Sequence, residues 1–77
     1  MNNKKDLLEI EINKAIIESS IIFEKTQIKN NEEKISSEVF AKYHEFYSKL
    51  IEVSQLKIKK LSLELEQINL ILSQNQL

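Results

Sequence analysis

The sequence predicts an all-α fold: an antiparallel two-helix hairpin, packed like a coiled coil, with the second helix longer than the first. Three observations carry this. The 77 residues include no Gly, no Pro and no Cys, so nothing obliges a helix to stop. From Tyr47 the residues Tyr47, Ile51, Ser54, Ile58, Leu61, Leu65, Ile68 and Leu72 recur at alternating steps of four and three. That is a heptad seam, interrupted only by Ser54, and it fits a helix packed along another helix. Between Phe23 and Ile35 the only large apolar residue is Ile28, which makes this stretch the natural place to turn back.

A chain of this length forms one domain, 1–77, close to the size at which a single core supplies only a few kcal/mol. Its 42% apolar content is too high for a disordered segment. With no disulfide available, added stability has to come from another helix, whether in a copy of the chain or in a partner. The missing cysteines also fit a reducing, cytoplasmic setting. Apolar runs reach only two or three residues, as in Ile21-Ile22-Phe23, too short to span a membrane. The basic start Met1-Asn2-Asn3-Lys4-Lys5 is followed by Glu9 and Glu11 instead of an apolar run, so it does not read as a signal peptide. Eleven basic residues against twelve acidic ones leave a net charge of −1, with no basic face for nucleic acid or anionic lipid. The richness in Asn, Lys and Ile looks like the codon bias of an AT-rich gene.

Taken in order, residues 1–5 are polar and expected to fray. The first helix is predicted over about 6–30, with Asp6 favourable in its first turn. It carries two apolar stripes. One holds Leu8, Ile12, Ala15, Ile22 and Phe23, with Ile16 at its edge, and the other Ile10, Ile17, Ile21 and Ile28. Together they cover more than half the circumference, as a helix sandwiched between neighbours requires. The turn is placed at 31–35, because Asn tolerates the left-handed conformation that ends helices. The second helix is predicted over about 36–73, with Ser36 as N-cap, Glu38 in the first turn, and Ile35 and Phe40 as a hydrophobic staple. Its first half gathers Phe40, Tyr43, Phe46 and Tyr47, which fit a plug at the closed end of the hairpin or, as the alternative, a binding platform. One continuous helix is the alternative to the hairpin, since no obligatory breaker lies at the turn.

A turn at 31–35 pairs residues whose numbers sum to roughly 66, so the second helix outruns the first beyond about Leu61, by on the order of 15 Å. That overhang would expose Leu63, Leu65, Ile68, Leu70, Ile71 and Leu72, and Leu56, Leu63, Leu70 and Leu77 form a further stripe at intervals of seven. An apolar patch of this kind marks an interface. The expected partner-binding set is therefore Ile10, Ile17, Ile21, Leu56, Leu63, Leu65, Ile68, Leu70, Ile71 and Leu72. The partner is another helical protein, a second copy, or both.

Residues for chemistry are sparse. The lone His44 cannot assemble a metal site, which needs three or four ligands. Without Cys there is no thiol nucleophile, and one His with scattered serines does not suggest a triad. Without Gly there is no phosphate-cradling loop. Glu64 and Glu66, following Lys57, Lys59 and Lys60, read as a solvated helix face. The expectation is a non-enzymatic protein with no cofactor.

From Ser36 onward the chain resembles two families. A first helix near 28 residues, a polar turn, a capping Ser36, and the aromatics Phe40 and Tyr43 four and seven positions later are similar to the small E-type co-chaperones of type III secretion needle subunits. That resemblance implies a cytoplasmic helical hairpin bound to a larger helical-repeat chaperone, the two holding a needle subunit soluble. The chain departs from it in a longer second helix and a turn without Gly. Ile35-Ser36-Ser37-Glu38-Val39 and Ser48-Lys49-Leu50-Ile51 resemble the short aspartyl-phosphate phosphatases acting on sporulation response regulators, also helical hairpins. Their Ser-Gln-x-Leu-Asp signature falls on His44, Glu45, Phe46, Tyr47 and Ser48, so Ser48 stands where that family has its Asp. A self-associating structural coiled coil is the third reading.

Overall fold

In a computed structural model, which describes residues 3–75, the chain is a helical hairpin: α1 (Asn3–Ser36), a 3₁₀ segment (Glu38–Tyr43) and α2 (His44–Asn75). It measures 59 × 15 × 14 Å, whereas one continuous helix of this chain would be about 115 Å long. The second limb, 3₁₀ segment and α2 together, is longer than α1. Met1, Asn2 and Leu77 lie outside the described residues, and Lys4 and Lys5, expected to fray, belong to α1.

The turn differs from expectation. Residues 31–35 are helical, and α1 continues to Ser36. Glu32, Glu33 and Lys34 are good helix formers, and Asn31 lies on the packed face, where it is only 6% exposed. Mid-helix hydroxyls are satisfied within the helix: Ser20, Thr26 and Ser36 donate to the carbonyls of Ile16, Ile22 and Glu32 at 2.9, 3.0 and 3.1 Å. Ser36 therefore ends the first helix and does not cap the second, and the Ile35–Phe40 staple built on that cap does not apply. Ser37 makes the break with φ −86° and ψ 131°, and its side chain makes no capping bond. No described residue has positive φ, so the reversal needs neither Gly nor a left-handed Asn. Ser37 N–H donates to Lys34 C=O at 3.1 Å, Phe40 N–H to Ser37 C=O at 3.2 Å, and His44 N–H to Ala41 C=O. These bonds carry the chain around the corner into α2.

Moving the turn resets the register. Glu24 lies 4.0 Å from Lys57, and the Lys34 ammonium sits 5.2 Å from the Tyr47 ring centre, so paired residues sum to 81. Each residue of turn displacement moves the register by two. Residues near Leu7 now lie level with the end of α2, and the expected overhang beyond Leu61 does not exist.

The packed face of α2 is the predicted heptad: Tyr47, Ile51, Ile58, Leu61, Leu65, Ile68 and Leu72 are half-buried and Ser54 is buried. The facing heptad of α1 runs through Ile10, Lys14, Ile17, Ile21, Glu24, Ile28, Asn31 and Ile35. Three polar residues are the only buried ones among the described residues: Glu24, Asn31 and Ser54. No hydrophobic side chain among those described is buried. Polar seam positions fix register at a cost in stability. At the closed end Tyr47 stacks edge-on against Phe40 and Phe46, with ring centres 6.0 and 5.2 Å apart.

Candidate functional site

Where no described apolar side chain of a helix pair is buried, its outer surfaces decide what it does. At 100° per residue, the α1 stripe of Leu8, Ile12, Ala15, Ile22 and Phe23, with Ile16 at its edge, lies away from the α1 seam. Its large members are more than half exposed except Ile12, which stands at 50%. On α2, Phe46, Leu50, Val53 and Ile71 flank the seam and are also exposed.

These residues meet in a series of connected depressions along one flank of the hairpin. One, of about 500 Å³, lies over α1 between Ile12, Ile16 and Phe23, floored by Ala15, Ser19 and Ser20. A second, of about 490 Å³, bridges the helices and shares Phe23 and Glu24 with the first; Phe46, Leu50 and Val53 form its α2 wall. A third, of about 350 Å³, shares Ile16 and continues toward the open end through Ile17, Ile68 and Ile71. At the closed end a small recess among Tyr43, Phe46 and Tyr47 joins the second. The result is a shallow apolar trough along the hairpin. The opposite flank carries Glu11, Glu18, Lys25 and Lys29 on α1, and Ser48, Gln55, Ser62 and Asn69 on α2. The two flanks between the helices therefore differ in polarity.

The surface area points the same way. The chain exposes 6322 Å², about 1,400 Å² more than the roughly 4,900 Å² of a compact protein of its mass. Charges are few in the trough: Lys34 lies toward the closed end, the Glu24–Lys57 pair near the middle, and Glu64 toward the open half.

The residues expected to bind a partner divide into three groups. Ile10, Ile17 and Ile21 are half-buried on the α1 heptad, and Leu65, Ile68 and Leu72 are half-buried on the α2 heptad, so these six serve the hairpin's own seam. Ile17 and Ile68 also reach the trough edge. Leu56, Leu63 and Leu70 are exposed on the outer side of α2 at 63%, 55% and 60%, apart from the trough. Ile71 alone of the ten both lies exposed and lines the trough. The expectation overlooked Ile16, Phe23, Phe46, Leu50 and Val53. Their signal was in the sequence, in the first α1 stripe and the aromatic cluster, but the choice between stripes depended on the register.

Tyr43 and Phe46 stay 47% and 57% exposed while Phe40 and Tyr47 pack inward, so the aromatics both close the hairpin and extend the trough. The Lys42 ammonium lies over the Tyr43 ring at 5.1 Å. Ser48 Oγ and His44 Nδ1 are 3.5 Å apart on one exposed turn. Among the described residues, no three His, Cys, Asp or Glu side chains gather as metal ligands, and no helix is long and apolar enough to cross a membrane. No protein-family model, curated protein or solved structure matches the chain.

Proposed function

We infer that this chain is a protein–protein interaction module whose apolar trough receives another helix, and that it works by completing a helical bundle and not by catalysis. One observation carries the reading: no large apolar side chain among the described residues is buried, and eight of the fourteen exposed ones line the connected depressions of one flank. A chain stabilised mainly by its own core would have the reverse distribution. Added helices would bury Ile16, Phe23, Leu50 and Val53, and occupancy would stabilise the hairpin by mass action.

The finer reading is a secretion co-chaperone of the needle-subunit type, in which a larger helical chaperone would fill the trough. It is supported by the hairpin architecture and chain length. The cap and aromatic spacing that suggested it now straddle the end of α1 and the turn, since Ser36 is the last residue of α1.

The test is site-specific photo-crosslinking in the cells that make the protein. A benzophenone amino acid is placed at Ile16 or Val53 in the trough, and at Glu18 or Gln55 on the polar flank. The reading expects discrete adducts from the trough positions and none from the polar ones. Absence of trough adducts, or equal labelling from both flanks, refutes it.

A further inference from the structure

We propose that the trough is filled by a second copy of this chain, turned end for end, to give a four-helix bundle with α1 against α1 and α2 against α2. This rests on the reading of the trough as an interface and commits it to one occupant.

Two hairpins laid face to face, antiparallel and fully overlapped, pair α2 residues whose numbers sum to about 121 and α1 residues whose numbers sum to about 40. The helix ends put these sums near 119 and 39, and within a residue or two of that overlap the trough residues of the two copies come to face one another. On α2 this sets Leu50 opposite Ile71 of the other copy, Val53 opposite Ile68, and Lys57 opposite Glu64. All six line the trough. Lys57 thus meets the glutamate of the open half, and this contact occurs twice under the two-fold axis.

On α1 the same overlap sets Phe23 against Ile16 and Ile17 of the other copy. It brings Ser20 onto the two-fold axis, facing itself. Ser19, Ser20 and Ala15 are the small floor of the α1 depression, so the helices can approach closely where the axis passes. The Ser20 hydroxyl is already bonded to the Ile16 carbonyl at 2.9 Å and needs no partner across the interface. A parallel copy, packing α1 against α2 at equal levels, sets Glu24 opposite Lys57, which already pair within one hairpin at 4.0 Å, places Lys34 beside the Phe46–Lys49 turn and leaves Glu64 without a basic partner. The trough is complementary to its own reverse.

The area is sufficient. A flank 59 Å long and 15 Å wide offers about 900 Å² of projected face per copy, and standard interfaces bury about 800 Å² per partner. The chain has no Cys, so single introduced thiols report on the pairing directly.

The experiment combines sedimentation equilibrium of the full chain with oxidation of Ser20→Cys and, as control, Gln55→Cys. The expected result is twice the chain mass of 9.1 kDa at tens of micromolar. Ser20→Cys should form a covalent dimer at least about tenfold faster than Gln55→Cys, because only the former faces itself. Glu64→Lys, which opposes two like charges per dimer, should weaken association about tenfold, and raised salt should relieve part of that loss. A fully helical chain that keeps the single-chain mass at hundreds of micromolar overturns the proposal, as does equal oxidation of the two cysteine variants. The photo-crosslinks separate the two readings: trough adducts heavier or lighter than two chains overturn the second copy and leave the interface standing, whereas no trough adduct overturns both.

Discussion

Replacing Tyr47 by Ala removes the residue on which the closed end converges. Its ring makes edge-to-face contacts with Phe40 and Phe46 at 6.0 and 5.2 Å and lies under the Lys34 ammonium at 5.2 Å. Each aromatic pair is worth about 0.5–1.5 kcal/mol, and the cation–π contact, from an exposed lysine, about 0.5 kcal/mol. Removing a half-buried ring from its apolar surroundings adds about 1 kcal/mol. The expected loss is about 3 kcal/mol, which at this chain length lowers the melting midpoint by about 15 °C. Circular dichroism at 222 nm against temperature measures it. Because these contacts lie within one chain, their loss should appear at every chain concentration. Tyr47→Phe keeps both ring contacts and should cost less than about 0.5 kcal/mol. A Tyr47→Ala loss below about 0.5 kcal/mol, or a Phe variant as damaged as the Ala variant, would refute the account of the closed end.

Three further perturbations address other parts of the hairpin. Ser54→Ile restores the interrupted apolar position of the seam and should raise stability by about 1 kcal/mol in the same melt, while loosening the register that the polar residues impose; a marked fall would mean the seam has no room there. Leu63→Glu with Leu70→Glu should change hairpin stability by less than about 0.5 kcal/mol, since both side chains are exposed outside the trough; collapse of helicity would show an unrecognised packing role. Ser37→Ala should also cost less than about 0.5 kcal/mol, below the usual cost near 1 kcal/mol of losing a serine cap, because its side chain makes no capping bond; a full-sized loss, read by denaturant titration, would mean that bond exists in solution.

Much of this fold is legible in the residues. Every position of the α2 heptad from Tyr47 to Leu72 faces α1, because a three–four spacing on an uninterrupted helix leaves little freedom. The turn was harder to place. Low hydrophobicity over 29–34 suggests a loop, yet Glu24, Ile28, Asn31 and Ile35 continue the α1 heptad without a break. Polar residues hid that continuity, and in this chain the seam itself is polar at Glu24, Asn31 and Ser54. A turn placed seven or eight residues early put the register at 66 instead of 81 and created an overhang that is not there. It also led to the choice of the wrong α1 stripe as the outward one. Both stripes are rich in isoleucine, and nothing local separates Ile10, Ile17 and Ile21 from Leu8, Ile12 and Ile16. Only the partner helix does so, and the trough is the product of that long-range choice.

The melting midpoint of the unmodified chain over a hundredfold range of concentration tests the central claim most directly. A hairpin with no buried apolar side chain among its described residues, completed by a second copy, must gain stability by mass action. The account expects the midpoint to climb steadily with concentration, and to stop climbing when Ile16→Asp breaks the trough. A fully helical chain melting at one temperature throughout that range would contradict it.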